Sequence, residues 1–150
     1  MISDTDHGYK ALVAALGDKP FEKSVKVGVP DTVRSDGQIN DEVAARNEFG
    51  FGVPERSFLR SYVDQNEYHI AGRIVAFVED VVLNNRFTWL KAFQNLGSEM
   101  VQNVQDHIET NIPPPLSPRT VQKKGHDLAL VETHELIESI TFETDAGSSP

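Results

Sequence analysis

The chain has 150 residues, 23 of them acidic and 14 basic, for a formal net charge of −9. That length builds one domain with a real core and is short for two, and the acidic balance argues against a free-standing nucleic-acid binder, which would show a basic face. Cysteine is absent, which removes disulfide scaffolds, thiolate zinc sites, iron–sulfur clusters and cysteine nucleophiles and fits a reducing compartment. Hydrophobic residues at 39% and charged residues at 25% place the chain in the globular range. No apolar run reaches the roughly 18 residues a membrane-spanning helix needs. The opening MISDTDHGYK carries acids where a secretory leader carries bases. The expectation is a soluble protein that folds in cytosol.

Residues 5–16 read as a first helix. Tyr9, Leu12, Val13 and Leu16 recur at helical spacing, Asp6 can cap the start, and Gly17 can stop it. Residues 21–29 alternate, with Phe21, Val25, Val27 and Val29 on one face and Lys23 as the exception, so they predict a half-buried strand ended by Pro30. Residues 30–40 are polar and turn-rich around Asp36-Gly37. Residues 41–49 carry both patterns: Val43, Ala45, Asn47 and Phe49 would share a strand face, while Ala44 and Ala45 suit a helix. A strand pairing antiparallel with 21–29 is the simpler solution.

Gly50 to Pro54 breaks any regular element, and residues 55–65 follow as a short helix edged by Phe58, Leu59 and Tyr62. Residues 66–83 form a long helix with Ile70, Ala71, Ile74, Val75, Val78, Val81 and Val82 as its apolar stripe. Residues 87–110 form a second, striped by Leu90, Phe93, Leu96, Met100, Val101, Val104 and Ile108. The short break between them predicts antiparallel packing. Gly97 sits beside the second stripe, where a missing Cβ allows close approach. Residues 111–118, NIPPPLSP, are stiff and extended. Ser117 caps a short helix over 118–124 with Pro118 at its first position, and Gly125 ends it. A further helical turn spans 133–138 with Thr133 as its cap. A last strand spans 139–144 with Ile140 and Phe142 on one face, and the tail at 145–150 is expected to be loose. The sum is a single α+β domain over 1–150: a small antiparallel sheet of about three strands or more, packed against two long antiparallel helices, plus short helices.

Catalytic signatures are sparse. Neither phosphate-binding glycine motif occurs, and Gly50-Phe51-Gly52 lacks the third glycine. His134-Glu135-Leu136-Ile137-Glu138 resembles a zinc-protease helix but places Glu138 where the second imidazole is needed. His7, His69, His107, His126 and His134 are scattered, and no serine elbow accompanies them. Glu79-Asp80 and Asp106 with Glu109 fall on polar helix faces. Lys123-Lys124 is too small for a nucleic-acid platform. No enzymatic activity, cofactor or metal is expected.

Two stretches instead resemble the neck or tail-completion proteins (head–tail joining, virion morphogenesis) of long-tailed bacteriophages. The first is Asn47-Glu48-Phe49-Gly50 followed by Val53, Pro54, Arg56, Phe58, Leu59 and Arg60. The second runs through Leu96-Gly97, then Leu116, Ser117, Pro118 and Thr120, then Lys124-Gly125. It closes with Leu130, Val131, Glu132, Thr133, Glu135, Leu136, Ser139 and Ile140. Order and spacing match over about 43–143. At 134 the family pattern has glycine where this chain has His134, so a left-handed backbone there would cost this chain more.

The resemblance implies a structural virion protein, synthesised in host cytoplasm, that forms a homo-oligomeric ring, sixfold in the family. The ring would join the head-closure or connector complex to the tail tube or tail terminator protein, and DNA would pass through its channel without specific binding. A closed ring needs a head-to-tail interface, and stiff segments dock at low entropic cost. The expected interface residues are therefore Val53, Pro54, Arg56, Phe58, Arg60, Pro113, Pro114, Pro115 and Leu116. Asp31, Asp36, Asp41 and Glu42 are expected to face the lumen and repel DNA phosphates. A tail-terminator or other tail-end ring component is the near alternative. A non-viral interaction module or a cryptic hydrolase is the distant one.

Overall fold

A computed structural model describes residues 24–84, 86–127, 129–130, 134–145 and 147–148. The helix expected over 5–16, the first residues of the strand expected over 21–29, and the expected cap Thr133 lie outside the described residues. In chain order the elements are β1 (Val25–Gly28), α1 (Asn40–Phe49), α2 (Leu59–Val82), α3 (Trp89–Glu109), α4 (Pro118–Lys124), α5 (Glu135–Ser139), β2 (Thr141–Thr144) and β3 (Gly147–Ser148). The class is α+β, with a small antiparallel sheet against helices, as the sequence predicts.

β1 pairs antiparallel with β2, setting Val27 opposite Phe142. The sheet is in substance this ribbon, because β3 adds only Gly147 and Ser148 against Thr144 and Glu143. That pairing also ties down part of the tail expected to be loose. The Asp145 carboxylate accepts the N–H of Ser24 and, at 3.1 Å, its hydroxyl.

The strand expected over 41–49 is instead helix α1. Its buried residues are Asn40, Ala44 and Glu48, four apart on one face. Two of these three are polar, so the inward face has no hydrophobic periodicity to read. The helix is marked by its ends: Asp41 and Glu42 occupy the first turn, Arg46 the last, and Gly50 closes it at φ 72°. Between β1 and α1 the chain makes a narrow loop, bridged at Val33–Ile39 and turning at Gly37 (φ 80°).

The two helices expected over 55–65 and 66–83 follow one another in α2 and are divided by a kink at Asn66 (φ −121°, ψ 15°), where the expected boundary lies; the first begins at Leu59, later than expected. The Asn66 amide turns back to donate to the Tyr62 carbonyl at 2.8 Å. Helix α3 starts at an N-cap, Thr88, which accepts from the N–H of Lys91. Arg73 of α2 meets Glu99 of α3, and Ser61 meets His107. The numbers rise on one helix as they fall on the other, which is the order of an antiparallel pair.

The core follows α3. Ala92, Leu96, Met100, Val104 and Ile108 are all buried, each one turn after the last. Phe58 and Tyr62 from α2, Leu136 and Ile137 from α5, and Ile140 join the same cluster. Gly97 lets α3 lie directly on β2, because a Cβ there would overlap the ring of Phe142. The short helix α4 has the expected Ser117 cap, Pro118 in its first turn and Gly125 at φ 80°. For α5, the residue entering the helix is His134, in the left-handed region at φ 59°.

Candidate docking surfaces

The segment joining α1 to α2 is held by a single buried carboxylate. Glu48, 6% exposed, accepts the backbone N–H groups of Phe58, Leu59 and Arg60 at 2.8, 3.0 and 3.0 Å. It also accepts the Ser57 hydroxyl at 2.6 Å. These amides are the donors that the start of α2 leaves unpaired, and the positive end of the helix dipole adds to the attraction. A carboxylate from α1 therefore caps α2 from across the loop, and the Asn47 carbonyl accepts the Arg56 N–H at 2.7 Å beside it. Residues 47–60 are thus a rigid clasp.

Arg56 extends the clasp to the proline arm. Its side chain is 5% exposed overall, and its Nε donates to the Pro114 carbonyl at 2.9 Å. Burial pulls its guanidinium below the ordinary arginine range, yet arginine still carries its charge. The arm itself has a cis Pro113–Pro114 peptide bond and leaves Pro113, Pro114 and Pro115 exposed.

The structure brings together most of the residues expected at the interface. Val53, Pro54, Arg56, Pro114, Pro115 and Leu116 all line one open cavity of about 600 Å³. Arg34 and Arg46 reach the same cavity. Arg34 pairs with Asp36 and Glu135, and Arg46 with Glu42. Pro113 lines a separate hollow with Ser61 and His107.

Two of the expected contact residues face inward. Phe58 has no exposed surface and Arg56 almost none, so both hold the chain's own segments together and cannot touch a neighbour in this fold. Arg60 is exposed, pairs with Glu55 at 2.6 Å, and lies over the ring of Phe49 at 5.8 Å. Phe49 and Phe51, 53% and 64% exposed, stand 5.7 Å apart beside it. Nothing in the sequence marks this aromatic pair, because Phe49 falls on the expected strand face and Phe51 in the expected break.

A larger apolar surface lies on α2. Its apolar stripe divides. Ile70 and Phe77 pack against the core and Val81 is buried, whereas Ala71, Ile74, Val75 and Val78 face outward, Val75 being 56% exposed. A helix that is apolar on more than one side is ordinarily covered on more than one side. Arg73 and Glu99 bind the inner side through a two-pronged ion pair at 2.6 Å, and that hydrogen bond, with the charge behind it, raises the Arg73 pKa.

The expected lumen acids Asp31, Asp36, Asp41 and Glu42 are all exposed on the loop and helix start between 31 and 42. Asp36 and Glu42 are partly neutralised by Arg34 and Arg46.

For catalysis, the most suggestive pair is Ser61 with His107, whose Nε2 lies 2.8 Å from the hydroxyl. Burial lowers the His107 pKa, favouring the neutral ring a general base needs. However, the Ser61 hydroxyl also donates to the Ser57 carbonyl one turn back in the helix, the bond by which a helical serine satisfies itself. Among the described residues, no group of three or more His, Asp or Glu side chains is arranged to hold a metal ion. No helix among them is long and apolar enough to cross a membrane.

Comparison of the chain with protein-family models, with curated proteins and with solved structures gave no match.

Proposed function

We propose that this chain is a structural subunit of the head–tail junction of a long-tailed bacteriophage, working as a ring of identical copies around a DNA channel. The observation that carries this reading is the uncovered apolar face of α2, Ala71, Ile74, Val75 and Val78, on a helix already packed on its other side. A head-to-tail ring needs a second surface of different shape on the same subunit. The clasp and proline arm supply one, with exposed Val53, Pro54, Phe51 and Arg60 held rigid by Glu48 and Arg56. The residue order shared with neck and tail-completion proteins supplies the biological setting. Exposed acids at 31, 36, 41 and 42 suit a lumen that DNA slides past, because like charges disfavour sticking.

Two measurements test the reading. Sedimentation of the purified chain is expected to show a closed oligomer, or a monomer that closes when a junction partner is added. Electron microscopy of whole and tail-less particles is expected to place its density on the axis between head and tail. A chain absent from particles, together with esterase or peptidase turnover that disappears in Ser61→Ala, would replace the structural role with an enzymatic one.

A further inference from the structure

We propose that copies of this chain join by unlike charges: the outer face of α2 on one copy receives the proline arm and α4 of the next. This rests on the ring reading above and names the two surfaces that meet in it. The outer face of α2 is apolar along its middle and acidic at its margins. Tyr68, 92% exposed, stands three residues before Ala71 and seven before Val75, so the three lie on one side of the helix. Glu67 is one turn before Ala71 and Glu79 one turn after Val75, and both are exposed. Neither makes an ion pair with a described residue. A second copy presenting this same face would set acid against acid, which disfavours a contact of α2 with itself. The face is matched instead by an apolar surface with a basic margin.

The arm and α4 make such a surface. Pro113, Pro114 and Pro115 are exposed, and α4, which begins three residues later, exposes Arg119 and Lys123 one turn apart. Arg34, Arg46, Arg60, Arg73 and Arg86 all pair with carboxylates of their own chain, and Arg56 donates to backbone carbonyls. Among the described residues, Arg119 is the arginine left without a hydrogen bond or an ion pair. Placement agrees with charge. Pro113 shares a hollow with Ser61, in the first turn of α2. Val75 lies 16 residues beyond Leu59, where α2 begins, which is about 24 Å along the helix. Complementary surfaces that far apart on one rigid subunit cannot meet within it, and they join copies head to tail.

The test reverses each margin separately in the full chain. One variant carries Arg119→Glu with Lys123→Glu, the other Glu67→Lys with Glu79→Lys. All four side chains are exposed, so both variants are expected to fold, which circular dichroism checks. Sedimentation at low ionic strength is expected to show self-association weakened at least ten-fold in either variant alone. Mixing the two in equal amounts is expected to restore it, because each reversed margin then meets its opposite on the other chain. A folding defect would not be repaired by mixing. Unchanged association in the Arg119 and Lys123 variant, or no restoration on mixing, would overturn the pairing and leave the ring standing. A second measurement uses the absence of native cysteine. Chains carrying Val75→Cys are mixed with chains carrying Lys123→Cys and treated with a short bis-maleimide. Crosslinks between the two kinds of chain are expected to form at least ten-fold faster than those joining two Val75→Cys chains, and the reverse order would overturn the pairing. A wild-type chain that stays monomeric at millimolar concentration would overturn it as well, and images of particles would then decide the ring on their own.

Discussion

Helices α2 and α3 are both long and both rich in apolar residues, but they dispose of that surface differently. In α3 the central row of the stripe is consumed, with Ala92, Leu96, Met100, Val104 and Ile108 all inside, Phe93 and Val101 half-buried beside it, and only Leu90 at the start exposed. In α2 the stripe is broader, and α3 covers only its inner half. The first turns of α2 are locked into the chain by Phe58, Tyr62 and the Glu48 cap, while its second half presents Ala71, Ile74, Val75 and Val78 to the outside. A residue's place on a stripe says that it avoids water. It does not say whether the cover comes from the same chain or from another.

The largest effect should come from the anchored end of α2. Phe58→Ala empties a fully buried site and is expected to cost about 3–5 kcal/mol, read as a fall in the urea midpoint. Phe58→Asp is expected to prevent folding outright, so it cannot serve as a test of docking. A change smaller than about 1 kcal/mol for Phe58→Ala would show that this end of α2 is as loosely held as the other.

The two helical glycines sharpen the contrast. Gly97→Ala on α3 drives a methyl group into Phe142 and should destabilise by about 1–3 kcal/mol in spite of alanine's better helix propensity. Gly72→Ala on α2 meets no neighbouring atom and should stabilise by about 0.5–1 kcal/mol. Thermal or urea unfolding of the two variants checks the sign of each. Equal signs would mean that the two helices are equally packed.

Val75→Asp is expected to leave the stability of the single chain within about 0.5 kcal/mol, as surface changes do, and to abolish self-association in sedimentation. Retained association with full particle incorporation would remove the outer face of α2 from the interface.

The smallest effect is one of pH. His107 bridges the helices through Ser61 and the ring of Tyr62, and burial depresses its pKa. The unfolded chain then takes up the proton more readily than the folded one, so this histidine favours folding above about pH 6.5 and that contribution declines as pH falls below it. The urea midpoint should drop between pH 7 and pH 5.5, and His107→Gln should flatten that part of the profile.

The clasp shows how a residue type can be right and its partner wrong. Val53, Pro54 and Arg56 belong with Pro114, Pro115 and Leu116 to the stiff segments expected to dock, and the structure gathers them around one cavity. Arg56, however, spends its guanidinium on the Pro114 carbonyl within the chain. Composition alone cannot distinguish an arginine that meets its acceptor inside the subunit from one that meets it outside. His134 stands where the family pattern has glycine, and its φ of 59° puts it in the left-handed region that glycine enters more readily.

Features set by local chemistry could be read directly. The extent of α3 followed from its spacing, α4 from the Ser117 cap with Pro118 and Gly125, and the close approach at Gly97 from a missing Cβ beside an apolar stripe. Helix α1 could not, because its inward face is Asn40, Ala44 and Glu48, and Glu48 is buried only because the start of α2 offers three amides to it. The partner of β1 could not either: β2 lies more than a hundred residues away, and strand pairing across that distance leaves no mark in either strand. Periodicity reports which face leaves water, and caps report where a helix ends. Only the folded chain decides which surfaces meet, because burial and hydrogen bonding are properties of pairs.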